Sequence, residues 1–152
     1  MFIEDYNLKS LTIPSRIAIT NKSFIENIVD ADLLLNNNAS ALSKEIHSIE
    51  PFSFYHTAVE DLKLNDSISS IGEYAFYYCN RLSSIELPST LVDIKKGAFQ
   101  GCENLKSITL PYSLKQIGKN AFDKCKSISS ITIPNSVSSI EDFAFYNCKN
   151  LS

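Results

Sequence analysis

Apolar residues in this chain recur with a period of 23. With Phe76, Phe99, Phe122 and Phe145 aligned, an alanine precedes each ring (Ala75, Ala98, Ala121, Ala144). A cysteine follows each ring three residues later (Cys79, Cys102, Cys125, Cys148). Leu82, Leu105, Ile128 and Leu151 come next, then Ile85, Ile108 and Ile131, then Leu87, Leu110 and Ile133. Pro88, Pro111 and Pro134 end the run. The pairs Ile68/Ile71, Leu91/Ile94, Leu114/Ile117 and Val137/Ile140 keep the same spacing. A fixed period of this length predicts one supersecondary unit stacked on itself, a solenoid.

Within each unit, Leu82-x-x-Ile85-x-Leu87 alternates inward residues around Ile85 and predicts a short strand. Ala75, Phe76 and Cys79 fall at i, i+1 and i+4, which suits a single tight turn. The proline follows the strand, where its missing N–H costs no ladder bond. Upstream the pattern persists with a one-residue deletion as Ile46, Ile49, Phe54, Val59, Leu62 and Leu64, with Asn65 in the proline position. A looser unit reads as Ile19, Phe24, Leu33 and Leu35, followed by the polar run 36–40, an inserted loop. Leu8–Pro14 again parallels Leu105–Pro111. The chain thus reads as one domain, residues 1–152. Repeats are irregular over 1–45, with an insertion near 36–45, and regular at 22–23 residues over 46–152, the last one truncated. Six or seven rungs are expected.

The unit Ala-Phe-x-x-Cys-x-x-Leu-x-x-Ile-x-Leu-Pro-x-x-Leu-x-x-Ile resembles the BspA-like subclass of leucine-rich repeats. The match is close from Ile68 to Ser152, recognisable from Ile46, and departs between Ser15 and Glu45. The resemblance implies a right-handed superhelix with a parallel β-sheet on its concave side and short turns or single-turn helices on the convex side. It also implies a surface or secreted protein of a bacterium or parasitic protist, acting in adhesion or protein binding.

Charge and composition narrow the partners. The 152 residues carry a net charge of −3 with no Lys/Arg cluster, which argues against nucleic acid or an anionic membrane. No apolar run approaches membrane-spanning length, so no membrane insertion is expected. The opening Met1-Phe2-Ile3-Glu4-Asp5-Tyr6 is acidic where a signal peptide needs a basic region. A cytoplasmic location therefore stays open beside the surface one that the resemblance implies. Little speaks for an enzyme. His47 and His56 are the two histidines, and neither pairs with an evident nucleophile. Asp30 and Asp32 lack the glycine and closing glutamate of a calcium loop. The four glycines form no phosphate loop. Four Asn-x-Ser sequons, at Asn21, Asn38, Asn65 and Asn150, carry little weight in a chain so rich in both residues. No catalytic, metal or cofactor site is expected.

Three groups of residues invite a role. The cysteines, 23 apart, have no metal-site spacing. They read as small buried residues in a narrow corner, interchangeable with Asp5 or Thr57, reduced and unreactive. On the concave face Asp61, Lys63, Ser84, Glu86, Ser107, Thr109, Ser130 and Thr132 point outward. They form either a protein-docking surface or an ordinary solvated sheet, with a cross-rung ion pair between Lys63 and Glu86. This face lacks the Trp, Tyr and Arg typical of hot spots. At the turn, Tyr55 and Tyr77 share one repeat position and His56 and Tyr78 the next. Later units hold Gln100, Gly101, Asp123, Lys124, Tyr146 and Asn147 there, a variability that places both positions in solvent. The four rings suit protein contact, or local packing beneath the loop at 36–40. The expected function is a non-enzymatic protein-binding module. Alternatives are an interaction arm of a longer intracellular protein, or a structural spacer that self-associates end to end through exposed strand edges.

Overall fold

The structure, a computed structural model, describes residues 10–12, 47–64 and 66–152. The looser unit, the loop at 36–40, Asp5, Asp30, Asp32 and the sequons at Asn21, Asn38 and Asn65 lie outside the described residues.

Nine short strands are described, and every pairing between them is parallel: β1 (Ser10–Thr12), β2 (Ser48–Ile49), β3 (Asp61–Lys63), β4 (Ser70–Ile71), β5 (Ser84–Glu86), β6 (Asp93–Ile94), β7 (Ser107–Ile108), β8 (Gln116–Ile117) and β9 (Ser139–Ile140). They form two sheets, the expected parallel sheet β1-β3-β5-β7 and a second, β2-β4-β6-β8-β9. In the first, Leu62, Ile85 and Ile108 stand in register; in the second, Ile49, Ile71, Ile94, Ile117 and Ile140 do. The chain is a parallel β-solenoid in which successive rungs add strands to the two sheets, the rung of Ile131 adding none to the first. Ser10 pairs directly with Asp61, so no strand of an intervening rung separates β1 from β3. Ser130 and Thr132, expected on a strand, lie on a segment that joins no ladder.

The third wall is the turn around the phenylalanine. Among the described residues it contains no helix, because two residues per rung adopt left-handed φ: Tyr74 (54°) and Tyr78 (51°), then Gly97 (61°) and Gly101 (78°), then Asn120 (57°) and Lys124 (62°). A left-handed residue breaks the right-handed i→i−4 series. The N–H groups instead alternate. Ala75, Tyr77 and Cys79 donate three residues back within their own turn (3.2–3.3 Å). Tyr74, Phe76 and Tyr78 donate to Lys96, Ala98 and Gln100 of the next rung (2.7–2.9 Å). The turn wall is thus a third hydrogen-bonded ladder, satisfying a buried backbone that has no regular strand.

Between the walls runs the core. Phe54, Phe76, Phe99, Phe122 and Phe145 stack with ring centroids 4.8, 5.1, 5.3 and 5.3 Å apart and ring planes nearly parallel. This spacing equals the distance between paired strands, so the sheet pitch sets the ring pitch. The cysteines line the adjoining corner, as expected. Each thiol donates to the carbonyl of the preceding rung's phenylalanine: Cys79 to Phe54 (2.8 Å), Cys102 to Phe76, Cys125 to Phe99 and Cys148 to Phe122 (3.1 Å each). Thr57 stands one rung earlier with its hydroxyl on the Phe54 carbonyl at 3.0 Å. The position asks for a small side chain with a donor, which explains its tolerance of threonine.

Candidate binding surfaces

The first sheet presents the expected outward residues on two columns. Asp61 accepts hydrogen bonds from Ser84 (2.7 Å) and Ser83 (3.0 Å), and these donors hold its carboxyl below the usual range. Lys63 and Glu86 form the expected cross-rung ion pair at 2.8 Å, both mostly exposed. Ser107 and Thr109 continue the columns in solvent. One residue that matters here was missed. Tyr112, directly after Pro111, is 89% exposed and edges a shallow groove of about 430 Å³ between two rungs. Ile85, Leu87 and Pro111 give the groove an apolar lining; Glu86, Ser89, Thr109 and Ser113 supply polar groups. The equivalent positions hold Asp66, Ser89 and Asn135, so the scaffold does not require an aromatic there. That inequivalence is the signal available in the sequence.

The turn wall brings together more aromatic residues than expected. Tyr55 stacks on Tyr77 (5.2 Å, 11°) and His56 on Tyr78 (5.4 Å, 6°). A third pair, Phe52 on Tyr74 (5.4 Å, 18°), joins them. Tilted and edge contacts of 4.5–5.9 Å cross-link the columns, Phe52 to Tyr55, Tyr55 to His56, Tyr74 to Tyr77 and Tyr77 to Tyr78. Six rings make one plate. Phe52 and Tyr74 occupy a single repeat position, as a column comparison two residues before the phenylalanine would have shown. Burial, then the neighbouring Tyr78, raises the Tyr77 phenol pKa.

The plate ends abruptly. In the next rung its columns hold Gly97, Gln100 and Gly101, and a Cβ on Gly97 or Gly101 would lie 2.4 or 2.8 Å from the rings of Tyr74 or Tyr78. Lys96 sits over the Tyr74 ring at 5.5 Å. Lys124 reaches back two rungs to donate to the Tyr78 hydroxyl at 3.1 Å, which favours its charged form. Asp123, expected in solvent, is instead buried, its carboxylate accepting from Gln100 at 2.8 Å.

Burial pushes the Cys79 thiol up to about 12 and raises those of Cys102 and Cys125 well above their ordinary value. They are inert packing groups. Among the described residues, no three His, Cys, Asp or Glu side chains are placed to hold a metal, and no helix is long and apolar enough to cross a membrane.

Comparison with known proteins agrees with this architecture. The sequence matches the BspA type leucine rich repeat region in six copies over residues 47–152. A leucine-rich repeat protein of T. pallidum superposes with a TM-score of 0.78 at 28% identity, covering 95% of this chain and 57% of its own. One from Bacteroides ovatus gives 0.75 at 31%, covering 97% and 33%. A leucine rich cell surface protein from Faecalibacterium prausnitzii gives 0.72 at 30%, covering 94% and 30%. The chain therefore spans less than two thirds of each of these relatives. No curated protein matches it. Period, stacked phenylalanines and family match agree, and the chain belongs to the BspA-type leucine-rich repeat family.

Proposed function

We propose that this chain is a non-enzymatic protein-binding module displayed at a cell surface, and that it docks its ligand on the first sheet and the adjoining Tyr112 groove. The observation that carries this reading is the exposed Tyr112 beside an apolar groove, next to the columns Asp61–Ser84–Ser107 and Lys63–Glu86–Thr109. A tyrosine beside a shallow apolar depression with polar groups around it is the usual make-up of a binding hot spot. The family is in general one of protein-interaction or surface proteins, and the F. prausnitzii relative is a cell surface protein by its description. The scaffold is preorganised, so binding orders few groups and outward residues can set selectivity.

The test is site-specific photo-crosslinking on cells of the source organism. A benzophenone amino acid replaces Tyr112 in one variant and Ser138, on the opposite wall, in another. A discrete protein adduct at position 112 and none at 138 is the expected result. Equal adducts at both positions, or none at 112, would refute the proposed docking surface. Protease shaving of intact cells, with release of peptides spanning Tyr77 to Lys106, checks the surface location; retention until lysis would overturn it.

A further inference from the structure

The lining of the Tyr112 groove specifies the chemistry of its occupant. Its floor is a break in a column that is sealed on either side. Leu64 and Leu110 are buried, at 3% and 5% exposure, whereas Leu87 between them is only partly buried. Beside that opening stands the Tyr112 ring, almost wholly exposed. The rim is polar. Ser89 and Thr109 carry hydroxyls with no internal partner among the described residues. Ser113 donates to the Leu91 carbonyl at 2.6 Å, which leaves its oxygen as an acceptor. Glu86 gives one carboxylate oxygen, Oε2, to Lys63 and keeps the other, Oε1. That ion pair also neutralises the one charged side chain among those that line the groove.

We propose that this groove holds a neutral sugar ring carried by the protein that docks on the first sheet; the inference rests on the docking surface proposed above. A pyranose has a face of C–H groups and a rim of hydroxyls. It therefore matches an apolar floor, an aromatic ring and a polar rim together. An aliphatic side chain would suit Leu87 and Pro111 alone. It would cover the Ser89 and Thr109 hydroxyls and Glu86 Oε1 while leaving them unpaired. An anionic sugar fits no better, because Lys63 is already held by Glu86 and that carboxylate would repel it. The groove, about 430 Å³, lies near the lower end of small-molecule sites, roughly 300–1,000 Å³, and takes one or two rings. At the Tyr112 position the other rungs hold Asp66, Ser89 and Asn135, none of them aromatic.

The test is an array of immobilised oligosaccharides, neutral and acidic, probed with the full chain tethered in many copies to a bead. Tethering raises a weak single-site affinity to a measurable one. The expected result is binding to a subset of neutral glycans, competed by the same sugar free in solution. Y112A should lower that binding about tenfold or more, and Y112F, which restores the ring, should recover most of it. T109V, which keeps the shape and removes the hydroxyl, should lower it about fivefold. Y146A, on the turn wall, should leave it unchanged. All three positions are exposed, and far-UV circular dichroism checks that each variant is folded. A blank array, binding of acidic glycans alone, or binding that survives Y112A would each overturn the proposal. A blank array together with the protein adduct at position 112 refutes the sugar and leaves the docking surface standing. Absence of that adduct refutes the docking surface itself.

Discussion

At the scale of single residues, the phenylalanine and cysteine positions carry most of the core. Phe99 is fully buried and stacked on both faces, at 5.1 Å from Phe76 and 5.3 Å from Phe122. Phe99→Ala removes both stacks and leaves a cavity that rigid neighbouring rungs cannot close. We expect a loss of about 3–5 kcal/mol in urea unfolding; a loss below about 1 would mean the ring is not core. The thiols predict a pH dependence. Burial raises the folded Cys79 pKa from 9.0 to about 12, and Cys102 and Cys125 shift the same way. Their contribution to stability is complete below pH 9, the unfolded value. It is lost as pH climbs from 9 toward 12, where the unfolded chain ionises and the folded one does not. The midpoint of urea unfolding should fall over that window and hold steady from pH 7 to 8.5. A disulfide-exchange reagent at pH 8 should spare Cys79, Cys102 and Cys125 until the chain unfolds, with the half-buried Cys148 reacting first.

At the scale of elements, each turn depends on what the next rung omits. Gly101 combines a φ of 78° with a Tyr78 ring 2.8 Å from where its Cβ would be. Gly101→Ala should cost about 1–2 kcal/mol from the left-handed backbone alone and displace the ring, reducing the tyrosine near-UV circular dichroism. An unchanged spectrum would show that the plate does not depend on this glycine. Elements also mark where sequence reading succeeds and stops. Phe76, Cys79 and Ile85 recur without interruption, so the spine, the corner and the first sheet were legible. The second sheet was not, because strands such as Ser70–Ile71 are two residues long and alternation needs more than that to register. Tyr112 escaped notice because it lies past the proline, outside the strand it flanks.

At the scale of the whole molecule, the solenoid separates stability from recognition. The buried columns are nearly invariant from rung to rung, whereas the turn columns, such as Tyr77, Gln100, Asp123 and Tyr146, differ at every step, so outward residues can change with little cost to the fold. The hydrogen bonds of the turn wall add a further property. From Phe52 to Gly101, alternate N–H groups donate to the rung that follows: Phe54 to Ala75, Phe76 to Ala98, Phe99 to Ala121. Every junction between rungs is made the same way. Excising residues 118–140, one full period, would join Ile117 to Glu141 and bring Phe145 against Phe99 and the Cys148 thiol against the Phe99 carbonyl. That shortened chain should fold with an unchanged far-UV spectrum per residue and a lower Tm, whereas excising half a period should abolish folding. Length in such a protein is a quantised trait: duplication or loss of a 23-residue block keeps every backbone bond of the turn wall paired, so reach can evolve by whole steps at the cost of only the side-chain contacts particular to the block, such as Gln100–Asp123 and Lys124–Tyr78.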